Sequence, residues 1–138
     1  MSRYLLDSDV IIWHLRGRLE VTAVLEKLLD YGLPACSALS VVEVQAGVKK
    51  GEDEKTNRLF QALKILAVDA EVAHRAARLV RDHRARGAGM ELADAIIAAT
   101  CLVHDLVLLT YNRKHYAVEG LELFPLPPLS GPARSSSR

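Results

Sequence analysis

The sequence predicts an α/β domain in which a parallel sheet is covered by helices on both faces. Three observations predict it. Short apolar runs of strand length alternate with longer segments of helical periodicity through almost the whole chain, the order that builds parallel sheets from crossover units. The strand candidates carry their apolar residues consecutively, as strands buried on both faces do. Half of the 138 residues are apolar but only 5% are aromatic, so the core of one domain is aliphatic.

Residues 3–6 form the first strand, a short run that ends at Asp7. Residues 10–15 are apolar again, and Gly17 closes them as a helix stop. Val21, Leu25, Leu28 and Leu29 give residues 19–31 a helical stripe that ends at Gly32. Residues 34–37 are a second strand. A helix opens at Ser40 and carries Glu43, with Gly47 and Gly51 towards its end. The mixed charges of residues 49–58 suit a solvated loop entering a helix whose apolar side is Leu59, Phe60 and Leu63. Residues 64–68 are a third strand, and Asp69 is a good N-cap for a helix over 70–86. Gly87 and Gly89 break that helix, and residues 92–104 form a nearly all-apolar one. Residues 106–110 and 121–124 complete a roughly five-stranded sheet. The domain spans 1–125; the Pro-, Ser- and Arg-rich stretch 126–138 is expected to be a disordered tail.

Eighteen Lys and Arg against 17 Asp and Glu leave a net charge of +1, which excludes a global basic field for nucleic acid and leaves only a local patch. Cys36 and Cys101 stand alone among small or apolar neighbours, as buried free thiols of a reducing compartment do. Two aspartates interrupt the N-terminal apolar run, so it reads as neither signal peptide nor membrane span, and a cytoplasmic location is expected.

Three acids stand out. Asp7 ends the first strand, and in a parallel sheet ligands bind beyond the carboxyl ends of the strands; an N-cap is the competing role. Asp9 follows, either sharing the site or favouring the first helical turn. Glu43 lies among Val41, Val42 and Val44, although Ser40 and Glu43 also fit a capping box. Asp94 sits in an apolar helix with no Lys or Arg on its face, where a carboxylate is costly unless paired or metal-bound; a first-turn acid is the alternative. Collected at one sheet edge, such acids repel one another, and a hard divalent cation relieves that repulsion.

The stretch Leu5-Leu6-Asp7-Ser8-Asp9-Val10-Ile11-Ile12 resembles the opening of PIN domains, a strand ending in the first metal-binding aspartate. Ser40-Val41-Val42-Glu43-Val44-Gln45-Ala46-Gly47 is similar to their second segment, and Ala93-Asp94-Ala95-Ile96-Ile97-Ala98-Ala99-Thr100 to their third. Leu108-Leu109-Thr110-Tyr111-Asn112-Arg113-Lys114-His115-Tyr116 resembles the fourth, in the form common among VapC toxins. The resemblance spans residues 3 to about 124, with all four segments in order.

It implies a three-layer α/β/α domain and an Mg²⁺- or Mn²⁺-dependent endoribonuclease, the toxic component of a toxin–antitoxin pair. It also implies RNA cleavage by metal-activated water, a homodimer and a small VapB-like antitoxin. By matching position, Asp7, Glu43 and Asp94 are the metal-binding acids, with Asp9 an additional candidate. Asn112 stands where many PIN nucleases carry a fourth acid, which bears on how tightly a second metal is held. Thr110 is a further catalytic candidate through its hydroxyl at the sheet edge. Arg113 and Lys114 beside the site, and Arg81 and Arg84 in a stretch of five arginines against one aspartate over 75–86, are candidate RNA contacts; a solvated helix face explains the latter two equally well.

His14, His74, His83 and His104 lack metal-ligand spacing and read as structural or surface residues. Trp13 reads as a core or dimer-contact residue. Two rivals remain at this point: a haloacid-dehalogenase-type phosphatase using Asp7 and Asp9, which leaves Glu43 and Asp94 without a role, and a non-catalytic PIN-like RNA- or protein-binding module.

Overall fold

In a computed structural model, which describes residues 2–130, the chain forms strands β1 (Tyr4–Leu6), β2 (Ala35–Ser37), β3 (Lys64–Leu66) and β4 (Val107–Leu109). Its helices are α1 (Ser8–Leu15), α2 (Leu19–Leu28), α3 (Ala38–Ala46), α4 (Asp53–Gln61), α5 (Ala70–Ala85) and α6 (Leu92–His104). Short 3₁₀ turns cover Leu29–Tyr31 and Arg113–Tyr116. The strands are all parallel and lie in the order β3-β2-β1-β4.

The pleat sorts the core. Leu5, Ala35 and Leu108 point to one face and pack with Ile97, Ala98 and Cys101 of α6. Leu6, Cys36 and Leu109 point to the other and pack with Val10, Ile11, Val21, Leu25 and Val44 of α1, α2 and α3, and with Phe60 of α4. Successive strand residues thus bury on opposite faces, which produces the expected three layers. Outside α6 lies α5, joined through Ala76, Ala95 and Ala99, whose small side chains permit close approach. Gly17 and Gly87 stop their helices with φ of 83° and 76°, a region open to residues without Cβ.

Four expectations are corrected. The sheet has four strands rather than five: residues 121–124 supply only a one-residue bridge, Leu123 to Leu108. Extending the pairing would need Phe124 O to accept the Thr110 N–H, but that carbonyl accepts the Leu126 N–H at 3.0 Å and the Arg113 guanidinium at 3.2 Å instead. The third helix starts at Ala38, capped by Ser37 rather than Ser40. Six of the ten residues of the charged stretch 49–58 are already in helix α4. Residues 126–130, assigned to the tail, are packed: Leu126 and Leu129 lie against the first core cluster, Pro127 O accepts from the Tyr111 hydroxyl, and Ser130 bonds Glu20. Residues 131–138 lie outside the described residues. No helix among those described is long and apolar enough to cross a membrane.

The strand order positions the site. From β1 the chain moves to β2 and β3 on one side, then crosses back to β4 on the other. The carboxyl ends of β1 and β4 therefore flank the topological switch point, where open parallel sheets bind ligands. Asp7 follows β1, Thr110 follows β4, and Asp7 N–H donates to Leu109 O at 2.9 Å across that junction.

Candidate active site at the β1–β4 switch point

Asp7 is 6% exposed, and both its oxygens are engaged. Oδ1 accepts the Ser8 N–H at 2.8 Å, so the residue does cap α1. Oδ2 faces the site and accepts from the Thr110 hydroxyl at 2.8 Å and the Tyr116 hydroxyl at 2.9 Å. The cap and the site are therefore two uses of one carboxylate. Thr110 Oγ1 also accepts the Asn112 N–H at 3.0 Å, so the threonine fixes Asp7 and the turn after β4 rather than standing free to orient water.

Asp94 lies in the first turn of α6. Its Oδ1 is 3.3 Å from the Tyr116 hydroxyl, and its Oδ2 is 3.3 Å from His115 Nδ1. One phenolic group thus joins acids from β1 and α6. Burial pushes the Asp94 carboxyl above its ordinary value, with His115 and Tyr116 working against the shift and Asp7 adding to it. Asp9 is pushed up to about 6, first by burial and then by the charge on Asp7. Its oxygens accept the Val10 and Tyr111 N–H groups, each at 2.8 Å, so it ties α1 to the turn after β4.

Glu43 is exposed and sits mid-helix in α3, which removes the capping-box reading; Val42 beside it is 65% exposed, so the helix is not buried there. The acid reaches the site through Ser8, whose hydroxyl donates to Glu43 Oε1 at 2.6 Å and lies 2.9 Å from the buried Ser40 Oγ. Beside Glu43 a cavity of about 320 Å³ opens between α1, α3 and α4, with Ile12, Leu15 and Val44 in its lining and Arg16 and Lys55 among its cations.

Other candidates are not drawn in. Asn112 is exposed and its side chain makes no capping bond. The Arg113 guanidinium donates to Phe124 O, and Lys114 is exposed. Arg81 and Arg84 lie on the exposed side of α5, and none of these four pairs with an acid of the site. Trp13 packs against the first core cluster under the guanidinium groups of Arg16 and Arg18. His14 bonds Thr22, and His83 bonds Leu79 O within its own helix. Cys36 and Cys101 are buried free thiols, both pushed up to about 12 by burial, which makes them inert.

Residues 4–121 match the PIN domain family. A relative, Ribonuclease VapC19 of Mycobacterium tuberculosis, is 34% identical over 81% of this chain and 90% of its own length. The chain is a PIN domain of the VapC family. A toxin–antitoxin complex from Klebsiella pneumoniae superposes with a TM-score of 0.73 at 29% identity, covering 85% of this chain and 92% of that one. VapBC2 from Rickettsia felis, solved with a DNA fragment from its promoter, reaches 0.80 at 21% identity over 90% and 98%, a likeness of fold.

The donor set of this PIN domain suits a hard divalent cation. Its site groups are carboxylates and hydroxyls, the oxygen donors that Mg²⁺ and Mn²⁺ prefer. Among the described residues only His115, an imidazole, pairs as a base with one of these acids, so no Lys or Arg takes the place of a cation there. Among those residues no three acid, thiol or imidazole side chains converge into a ready-made shell. A cation here would keep several of its waters, as Mg²⁺ commonly does. Asp7, Asp94 and Glu43 would hold it.

Ser8 and Tyr116 are the site residues that sequence reasoning missed; His115, read as lying beside the site, reaches Asp94 itself. Tyr116 lies inside the fourth family-like segment, but nothing in its spacing announces a hydroxyl placed between two acids 22 and 109 positions away.

A stability prediction arises from Asp94. Its raised carboxyl pKa means the folded chain holds that proton to higher pH than the unfolded chain does. The associated stability is complete below the ordinary value of 3.8 and is lost as pH rises through the raised one. Metal-free Asp94→Asn should therefore melt above the wild type at pH 7, and the gain should shrink as pH falls towards 4. Melting curves of both proteins in chelator across that range check it; an equal gain at both ends would contradict the assignment.

Proposed function

We propose that this PIN domain is a divalent-metal-dependent endoribonuclease and the toxic half of a toxin–antitoxin pair. The carrying observation is that the buried Asp7 and the half-buried Asp94 share the Tyr116 hydroxyl at the β1–β4 switch point, in a chain whose relatives are named ribonucleases. A bound Mg²⁺ or Mn²⁺ supplies Lewis acidity, activating water and offsetting charge on the scissile phosphate. The chain's own residues do the rest. Asp7, held rigid by Thr110, Tyr116 and the Ser8 amide, contributes charge with little reorganisation. Asp94 faces it from α6, and Glu43, held by Ser8, closes the α3 side. Arg113 and Lys114, exposed on the turn after β4, would meet the RNA backbone without reading sequence.

The test is cleavage of a single-stranded RNA by the purified protein with Mn²⁺ or Mg²⁺, with a small phosphomonoester as the contrasting substrate. RNA should be cut and the monoester left intact. A phosphatase reading would use Asp9 as general acid, but both Asp9 oxygens already accept backbone N–H bonds. A non-catalytic module would have no use for three retained acids.

The partner follows from charge. A VapB-like antitoxin segment would cross the cavity beside Glu43 and present Arg or Lys to the acids in place of a cation. We further propose a homodimer, on the resemblance to the VapC family, with the exposed Leu19, Val42 and Leu92 as apolar side chains a partner could cover. Light scattering should give twice the chain mass, and the product of the adjacent small reading frame should bind and silence cleavage. A monomer that ignores that product would count against both statements.

A further inference from the structure

Tyr116 is 3% exposed, its ring packed in the same cluster as Leu5, Ile97, Ala98, Cys101 and Leu108. That cluster belongs to the sheet face covered by α6, so the ring is held by the same contacts that fix α6 to β1 and β4. The buried hydroxyl meets two partners, Asp7 Oδ2 at 2.9 Å and Asp94 Oδ1 at 3.3 Å. The acids come from different elements: Asp7 from the end of β1, Asp94 from the first turn of α6. No backbone hydrogen bond couples those two points directly, and the side chains repel when ionised. A phenol with one proton between two carboxylates offsets part of that repulsion and sets how far apart the oxygens sit.

We propose that Tyr116 is a positioning residue whose hydroxyl, shared by Asp7 and Asp94, sets the spacing of these two acids for the divalent cation. The inference rests on the reading of Asp7 and Asp94 as cation ligands. Tyr116 needs no contact with RNA for this role. Hydrogen bonds that orient a metal's ligands matter at a known scale: removing one weakens metal affinity about 10- to 100-fold. Thr110 already anchors Asp7 Oδ2 from the β4 side, so what Tyr116 adds is the tie to Asp94.

The variant is Tyr116→Phe, which keeps the ring and its packing. Mn²⁺ calorimetry is run on the RNA-free wild type, Tyr116→Phe and Asp94→Asn, with melting curves to confirm that each is folded. Tyr116→Phe should weaken Mn²⁺ binding about 10- to 100-fold, and its RNA cleavage should fall at low Mn²⁺ and return close to wild type at saturating Mn²⁺. Asp94→Asn should lose binding altogether. An unchanged or tighter Mn²⁺ affinity in Tyr116→Phe, beside lost binding in Asp94→Asn, would overturn the positioning role alone. Cleavage by Tyr116→Phe that stays low at saturating Mn²⁺ would also overturn it. Wild type and Asp94→Asn binding Mn²⁺ alike would overturn the ligand reading on which it rests.

Discussion

Asp7→Asn and Asp94→Asn are each expected to cut metal-dependent RNA cleavage by more than about a hundredfold while leaving the fold intact. Loss of a group that merely orients a metal ligand already costs about 10- to 100-fold, and these substitutions remove ligand charge itself. The fold should survive for reasons specific to each site. Asparagine is as good an N-cap as aspartate, so α1 keeps its start, and the Thr110 and Tyr116 hydroxyls can rotate to suit an amide. At position 94 the amide relieves burial of a charge. Cleavage assays on folded, purified variants read the outcome. Full activity in either variant would show that the acids at the switch point are not the reacting centre.

The second large effect concerns how many ions the free protein holds. Asn112 offers a carbonyl oxygen but no charge, and it is exposed beside the Thr110 anchor. Asp9 could add charge: its oxygens each accept one backbone N–H group, which leaves lone pairs free. On the proposed reading Asp7, Asp94 and Glu43 would hold one divalent ion, and a second would rely on Asp9 or on the substrate's phosphate oxygens. Calorimetry should therefore count one Mn²⁺ per chain without RNA. Asn112→Asp should make a second ion measurable, whereas Asn112→Ala should impair cleavage far less than Asp94→Asn does. Two ions of similar affinity on the wild-type free protein would show that Asn112 does not limit the site.

Much of this architecture is legible in the sequence, and the limits have physical causes. Strand ends and helix stops follow from local signals: apolar runs, Gly17, Gly87, and Asp69, which accepts the Val72 N–H as a cap should. Asp7 and Asp94 stand out because a carboxylate in an apolar context is costly. The Ser40 capping box misleads because the same motif chemistry is available three residues earlier, where Ser37 ends β2. The fifth strand fails because apolar composition does not reveal that Phe124 O is taken by Leu126 N–H and Arg113, which leaves room for one bridge. Ser8 and Tyr116 were silent because their hydroxyls act across 35 and 109 residues of sequence, distances over which no periodicity carries information. The docking of Leu126, Leu129 and Ser130 is hidden in the same way by a Pro-rich composition that reads as tail.

The central claim, a divalent cation working through Asp7 and Asp94 on RNA, is tested most directly by one chelation and add-back experiment. Purified wild type and Asp94→Asn are stripped with chelator, supplied with Mn²⁺, and assayed on the same single-stranded RNA. Wild-type cleavage should vanish on chelation and return with Mn²⁺, while Asp94→Asn stays inactive throughout. Cleavage that survives chelation, or that Mn²⁺ restores equally in Asp94→Asn, would contradict the claim.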